Sequence, residues 1–184
     1  MRNRPVLIVV SGPPATGKST LARLLGEDLG CPTIIRDEIK QGMVMNVSDH
    51  QAGDDDPLNL PTLEAFFQTI TVLLRAGVTL VAEAAFQDRL WRPSLEPLVP
   101  LADIRVLRCT TPTPGIVDRI AERARTDDHR AAHADEALLA DIAAGAYDPG
   151  EFRAIRLDVP SLIVDTSDGY APDLCEIREF LGSR

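Results

Sequence analysis

The sequence predicts an α/β fold, a three-layer α/β/α sandwich around a mainly parallel sheet of five strands. Short β-branched apolar runs alternate along the chain with amphipathic segments of helical period, which favours parallel strands joined by helices. A glycine-rich loop follows the first apolar run and precedes the first helix. The length of 184 residues suits one domain, so we expect residues 1–184 to form a single unit. The predicted strands are residues 6–10, 33–35, 78–82, 104–109 and 162–164.

The composition is that of a globular protein. Hydrophobic residues make up 45% of the chain and charged residues 26%, both ordinary fractions for a folded domain. No apolar run approaches the roughly 20 residues of a membrane helix, and the run near the N-terminus is too short for a signal peptide. The three cysteines are isolated and odd in number, which favours free thiols in a reducing compartment. We therefore expect a cytoplasmic protein with no membrane partner.

The net charge of −9 argues against nucleic acid as a partner, because proteins that grip nucleic acid usually carry a basic surface. A local basic patch stays open as an alternative, since Arg119, Arg123, Arg125 and Arg130 fall close together. We expect a small molecule instead. The sequence is compatible with a monomer or a homodimer.

Residues 12–19 have the pattern Gly, four residues, Gly-Lys-Ser, which is typical of a nucleotide phosphate site. Its glycines let the backbone adopt conformations that a side chain would forbid. Successive N–H groups and the positive end of the next helix then surround phosphate oxygens. Lys18 reaches the β- and γ-phosphates, and the Ser19 hydroxyl is a ligand for Mg²⁺. The predicted nucleotide-binding residues are Gly12, Pro13, Pro14, Ala15, Thr16, Gly17, Lys18, Ser19 and Thr20.

Two carboxylates follow predicted strands and should meet the phosphate loop, because ligands bind at the carboxyl ends of the strands in such sheets. Asp37 comes just after the second strand, where it suits a catalytic role and is equally compatible with a helix cap. Glu83 ends the third strand, at a position where an acid holds Mg²⁺ directly or through water. Asp165, after the last strand, is the competing metal candidate; we favour Glu83.

Two polar segments are predicted to border the site. Residues 46–60 lack periodicity and are acidic, which predicts a mobile, solvated loop able to fold over a substrate. Residues 119–135 are arginine-rich and predict a lid that closes over phosphates and excludes water. The alternative for the second segment is a solvated helix face on which arginines pair with neighbouring acids.

Residues 84–101 predict a loop and a short helix with side chains that suit a pocket wall. Phe86 and Arg89 are candidates for contact with the substrate, together with Gln87, Trp91 and Arg92. The alternative is that Phe86 and Trp91 pack against the edge of the sheet.

Two stretches, Gly-Pro-Pro-Ala-Thr-Gly-Lys-Ser-Thr at residues 12–20 and Ile-Ile-Arg-Asp-Glu-Ile-Lys at residues 34–40, carry a family resemblance. They resemble the P-loop kinase group that contains polynucleotide 5′-kinases, zeta toxins and chloramphenicol phosphotransferase, which are AAA-type ATP-binding kinase-like proteins. The distinguishing feature is an aspartate at the end of the second strand, followed three positions later by a basic residue. The resemblance implies a P-loop NTPase fold of the nucleoside-kinase type and transfer of the γ-phosphoryl group of ATP or GTP to a hydroxyl.

The resemblance also implies roles for single residues. Asp37 would match the general base, and Lys40, at the substrate, stands where polynucleotide kinases carry an arginine. Glu83 would match the acid of the third strand, serving the metal or the substrate. The catalytic lid arginines match by region, with Arg123 first and Arg130 second.

We therefore expect an ATP-dependent, Mg²⁺-dependent phosphotransferase that acts on a hydroxyl of a sugar nucleotide, an antibiotic or a metabolite. GTP is a possible donor. A nucleic-acid 5′-hydroxyl kinase is the alternative within the enzymes, disfavoured by the net charge and by Lys40. A nucleotide-dependent regulatory ATPase is the alternative outside them. Asp37 and the lid arginines favour transfer, because a hydroxyl acceptor needs such groups.

Overall fold

The computed structural model describes residues 4–47, 56–126, 135–149 and 152–182. Within these residues no helix combines the length and the apolar composition needed to cross a membrane. The elements of this part of the chain are β1 (Val6–Ser11), α1 (Lys18–Leu29), β2 (Thr33–Ile35), α2 (Arg36–Val44), α3 (Asn59–Arg75), β3 (Leu80–Glu83), α4 (Asp88–Leu95), a 3₁₀ turn (Glu96–Leu98), β4 (Asp103–Thr110), α5 (Thr113–Thr126), α6 (Asp135–Ala143), β5 (Ser161–Asp165) and α7 (Leu174–Phe180).

The five strands form one sheet in the order β2-β3-β1-β4-β5, and every adjacent pair is parallel. The predicted α/β fold with a parallel five-stranded sheet is thereby confirmed. Glu83 lies in register with both Val10 of β1 and Ile35 of β2. Since all strands run the same way, the segments that follow β1, β2 and β3 meet at one edge of the sheet.

Alternating side chains of β1 supply both faces of the core. Leu7 and Val9 pack with the layer of α3 and α4, whereas Ile8 and Val10 pack with α1 and α7. All four are buried. A strand covered on both faces is apolar throughout, which explains why the first apolar run of the sequence shows no polar alternation.

Four aromatic rings form one cluster beneath α3, with ring centroids 5.0 to 6.4 Å apart. They are Phe66 and Phe67 of α3, Phe86 after β3, and Trp91 of α4. Phe86 adopts a left-handed backbone with φ of 47°, a conformation that costs a bulky residue roughly 1–3 kcal/mol. Its ring is fully buried, so the packing of the cluster offsets that strain.

The end of the acidic segment 46–60 differs from the predicted solvated loop. Helix α3 already begins at Asn59, and Asp56 is buried with 6% of its surface exposed. The reason is an ion pair with Lys40, which draws this carboxylate out of solvent. Residues 48–55 of the segment lie outside the described residues.

Gly26 packs α1 against β2 so closely that a side chain does not fit. A Cβ there would lie 1.9 Å from Thr33 Oγ1 and 3.2 Å from the Cys31 carbonyl oxygen. Gly26→Ala is expected to lower the free energy of unfolding by about 1–3 kcal/mol, because overpacking shifts the backbone. Gly42→Ala in α2 is the control, since nothing lies within 4 Å of its added Cβ, and it should stabilise by about 0.5–1 kcal/mol. Urea denaturation measures the free energy of unfolding of both variants. If both substitutions changed it in the same direction, the close packing inferred at Gly26 would be contradicted.

Candidate active site

The loop between β1 and α1 depends on two glycines. Gly12 has φ of 145°, and a Cβ there would lie 2.4 Å from the carbonyl oxygen of Cys109 in β4. Gly17 has φ of 72° and directly precedes α1, which begins at Lys18. The loop backbone therefore wraps the N-terminus of a helix, where free N–H groups and the helix dipole favour an anion.

Polar side chains from distant parts of the chain fix the loop. Thr166, just after β5, donates a hydrogen bond to the carbonyl oxygen of Thr16 at 2.8 Å. Arg119 of α5 donates to the carbonyl oxygen of Ala15 at 3.3 Å and to that of Thr166 at 2.6 Å. Ala15 itself has φ of 59°, so these contacts hold a strained turn in place.

Lys18 folds back over the loop, and its Nζ donates to the carbonyl oxygen of Pro13 at 2.8 Å. The ammonium group thus lies above the cradle formed by the backbone. A phosphate oxygen bound there would offer a charged acceptor in place of a neutral one, and charge-assisted hydrogen bonds are the stronger kind.

Ser19 and Glu83 are in direct contact at the edge of the sheet. The Ser19 hydroxyl donates to Glu83 Oε2 at 2.8 Å, and Glu83 is 3% exposed. This is the pair that the sequence predicted as metal ligands. The alternative acid, Asp165, is exposed on β5, which is separated from β1 by β4. Its carboxylate accepts hydrogen bonds from the backbone and hydroxyl of Ser167.

Burial raises the pKa of the Glu83 carboxyl. Lys18 and the hydrogen bond from Ser19 lower this pKa, while the Asp37 carboxylate raises it further. A buried carboxylate of this kind fits a divalent cation, because a cation offsets the cost of the buried negative charge. Mg²⁺ usually takes one or two carboxylates and completes its shell with phosphate and water. Among the described residues, no group of three or more acids, histidines or cysteines is placed to hold a metal ion.

Asp37 lies in the first turn of α2, on the same edge of the sheet as Glu83. Its side chain is 46% exposed, and Arg36 Nη1 donates to its Oδ1 at 3.1 Å. The N-cap position of α2 is Ile35 and not Asp37, so the helix-cap interpretation does not describe this residue. Asp37 instead presents a carboxylate that is half exposed to solvent and close enough to Glu83 to raise the pKa of that carboxyl.

A polar network lies behind Asp37. Lys40 is 5% exposed and pairs with Asp56 at 2.7 Å, and it also donates to Asn59 Oδ1 at 2.9 Å. Arg36 donates to the same Asn59 oxygen at 3.2 Å. Lys40 was predicted to contact the substrate. The structure places its ammonium group in a buried ion pair that joins α2 to the start of α3, because Asp56 supplies the charge that its burial requires.

Comparison with known proteins identifies the family and the fold. A family model described as "AAA domain" matches residues 7–149. The chain belongs to the AAA domain family. No curated protein matches it significantly.

Solved structures with the fold of P-loop kinases resemble this chain along nearly its whole length. A protein from Chloroflexus aurantiacus is 23% identical with a TM-score of 0.70, over 97% of this chain and 93% of that one. The APS kinase of Mycobacterium tuberculosis, solved with AMPPNP and APS, is 20% identical with a TM-score of 0.61. The match covers 98% of this chain and 99% of the APS kinase. A gluconokinase of Sinorhizobium meliloti is 20% identical with a TM-score of 0.58. The match covers 99% of this chain and 94% of the gluconokinase.

The remaining predicted site residues of the AAA domain are dispersed. Phe86 is buried in the aromatic cluster, which is the alternative the sequence left open, so its ring is not a pocket wall. Arg89 is exposed on α4, and Thr20 is exposed on α1. Arg123 belongs to α5, while Arg130 lies outside the described residues.

Sequence reasoning missed the parts played by Arg119 and Thr166. It grouped Arg119 with the lid, but its guanidinium group binds the loop carbonyl of Ala15. Two signals were available: an arginine near the middle of the helix after β4, and a threonine immediately after the last strand. Neither signal predicts which atoms the side chain contacts. The partner of Arg119, the carbonyl oxygen of Ala15, lies more than 100 residues away in the sequence.

Replacing Glu83 by Gln tests how much the buried negative charge lowers the stability of the folded protein. In metal-free protein, Glu83→Gln is expected to raise the free energy of unfolding at pH 8, because the amide still accepts from Ser19 and carries no charge. The folded-state pKa of Glu83 is raised. The folded state therefore binds the proton more tightly, and stability falls as pH rises from the ordinary pKa to the raised one. The greater stability of Glu83→Gln should disappear below about pH 4, because Glu83 is then protonated in both the folded and the unfolded state.

Urea denaturation at the two pH values provides the measurement, with Glu38→Gln as the control. Glu38 is an exposed acid of α2 paired with Arg23, so its replacement should change stability by less than about 1 kcal/mol at either pH. A Glu83→Gln protein less stable than the wild type at pH 8 would count against a costly buried charge.

Lys40→Met tests whether Lys40 is structural. The variant removes the ammonium group that pairs with the buried Asp56 carboxylate, so we expect a loss of about 3–5 kcal/mol of stability. Lys40→Met with Asp56→Leu should recover most of it, since both charges are then removed together. Arg23→Met is the control, because its ion pair with Glu38 is more than half exposed. If Lys40→Met kept the wild-type stability but lost activity, Lys40 would be assigned to the substrate site as the sequence predicted.

Proposed function

We propose that this protein is an ATP-dependent phosphotransferase that moves the γ-phosphoryl group to a hydroxyl of a small molecule with the help of Mg²⁺. The observation that carries the proposal is the convergence of three groups at one edge of the sheet. These are the phosphate loop, the contact between Ser19 and Glu83, and the half-exposed carboxylate of Asp37. The similarity in fold to an APS kinase solved with AMPPNP supports ATP as the donor.

The loop residues bind and orient the donor. Backbone N–H groups around Gly12 and Gly17 hold the phosphate oxygens, and Lys18 leaves the Pro13 carbonyl to contact the β- and γ-phosphates. Ser19 and Glu83 are the residues that would hold Mg²⁺, which supplies positive charge to the phosphate oxygens when bound. Because phosphoryl transfer has a loose transition state, these positioning and electrostatic effects account for most of the catalysis.

Asp37 acts on the acceptor. The acceptor oxygen forms a bond to the γ-phosphorus as the bond to the bridging oxygen of ADP breaks, and the hydroxyl proton passes to the Asp37 carboxylate. The products are a phosphorylated alcohol and ADP. Arg36 holds Asp37 through its Nη1 group, and Arg36 is itself held by Asn59 and lies 6.0 Å from the centroid of the Trp91 ring. The carboxylate is thus oriented by Arg36, and it is half exposed to solvent, where a hydroxyl can approach it.

Arg123 and Arg130 are proposed to contact the phosphates during transfer. A guanidinium group pairs with phosphate oxygens through two parallel hydrogen bonds and keeps its charge at all working pH values. In related P-loop systems one such arginine contributes about 10³–10⁵ in rate. Exclusion of water by the same segment would favour the hydroxyl acceptor over hydrolysis.

A small acceptor agrees better with the charges than a polynucleotide does. The net charge is −9. Lys40, the residue that stands in place of a phosphate-binding arginine, is engaged with Asp56. A nucleic-acid phosphate would therefore have to find its cation elsewhere on an acidic protein.

The experiment is a screen of ATP consumption over sugar nucleotides, aminoglycosides, metabolites and 5′-hydroxyl oligonucleotides, repeated with GTP. On an acceptor that is found, Asp37→Asn should lower kcat by about 10²–10⁴, the usual contribution of a general base. Binding of the acceptor should persist, as monitored by fluorescence of Trp91, which is the one tryptophan of the chain. Lys18→Ala should abolish nucleotide turnover while the fold is retained.

Glu38→Gln is the matched control, because Glu38 is adjacent to Asp37 but points to an exposed ion pair with Arg23. It should keep the wild-type kcat. Acceptor-independent ATP hydrolysis that is unaffected by Asp37→Asn would favour the regulatory ATPase instead. Phosphorylation of oligonucleotides alone would favour the nucleic-acid 5′-kinase.

A further inference from the structure

Helix α3 presents an outer surface that no described element covers. It flanks an open groove of about 680 Å³ that is lined by residues of α3 and by Ser94 of α4. We name as the α3 surface the six residues Leu60, Glu64, Gln68, Thr71, Val72 and Arg75. Leu60 and Val72 are 76% and 66% exposed, so two large apolar side chains of the α3 surface face solvent.

The polar members of the α3 surface form one line along the helix. Glu64, Gln68, Thr71 and Arg75 are spaced by four, three and four residues, so they follow one another on the same side. The line begins with an acid and ends with a base, and the two lie about 16 Å apart along the axis. Leu60 and Val72 lie on the flanks of this line, one on each side.

This order makes the surface complementary to itself. When two copies of α3 run antiparallel about a two-fold axis between Gln68 and Thr71, each Glu64 faces the Arg75 of the other copy. Gln68 then faces Thr71, an amide and a hydroxyl that can hydrogen-bond to each other. A two-fold axis produces every contact twice, so two ion pairs form together. In a parallel arrangement, Glu64 would instead face Glu64, and Arg75 would face Arg75.

We propose that the α3 surface is the interface of a homodimer, in which α3 packs antiparallel against α3 of a second copy. Charge complementarity identifies the second copy as the partner. A helix of 17 residues is about 25 Å long, so a contact made by this helix alone is expected to fall at or below the small end of the roughly 1,200–2,000 Å² of a standard interface. The dimer is therefore expected to be weak, with a dissociation constant in the micromolar range.

Sedimentation of the full chain from about 1 to about 200 µM tests the proposal. The wild type should pass from monomer to dimer. Glu64→Arg alone and Arg75→Glu alone should each weaken the dimer at least about 10-fold, because two attractive pairs become repulsive. The double variant Glu64→Arg with Arg75→Glu should return to within about 3-fold of the wild type, since the charges are exchanged and not removed.

Val72→Asp should also prevent dimerisation, whereas Met45→Asp is the control. Met45 is 79% exposed at the end of α2, outside the α3 surface. Thermal melting of each variant shows that it is folded. A wild type that stays monomeric over the whole range would overturn the proposal. So would a double variant as weak as the single ones, because α3 would then not face α3.

Discussion

The close approach of the phosphate loop to β4 is the constraint on which the rest of the site depends. Gly12 lies so near the carbonyl oxygen of Cys109 that any side chain would displace the strand or the loop. That approach lets Thr166 and Arg119 reach the loop carbonyls from beyond β5 and from α5. These contacts restrain the loop, and a preorganised set of N–H donors needs little reorganisation when a ligand binds.

Ser19, in the first turn of α1 directly after the loop, contacts Glu83, and the burial of the Glu83 carboxylate there carries a cost. A carboxylate buried at the edge of the sheet destabilises the folded protein when it is charged, as its raised pKa indicates. The neighbouring carboxylate of Asp37 adds to the same negative potential. Two acids at this edge of the sheet are unfavourable for stability, but they suit the proposed function, in which Glu83 helps to hold a divalent cation and Asp37 accepts a proton. Under that proposal, charge required by function is retained at a cost in stability.

A second network connects the proposed acceptor side to the core. Asp37 is held by Arg36, Arg36 by Asn59, and Asn59 also accepts a hydrogen bond from Lys40. The Lys40–Asp56 pair anchors the start of α3, and the far side of α3 carries the proposed dimer surface. One helix thus joins the aromatic core, the support of the proposed base and a surface suited to a second copy. The edge at which Asp37 lies follows from its position after β2, whereas the orientation of its side chain also depends on the contact of Arg36 with Asn59.

The sequence alone determined the parallel α/β fold, the phosphate loop and the edge at which Asp37 and Glu83 lie, because these follow from local pattern and from strands that run the same way. It did not determine what Lys40, Phe86 and Arg119 touch. Each of these side chains meets a partner distant in sequence: Asp56 for Lys40, the aromatic cluster for Phe86, and the loop carbonyl of Ala15 for Arg119. Residue type and spacing determine which interactions a side chain can make. The tertiary structure decides which partner it meets, because that partner lies far away in the sequence.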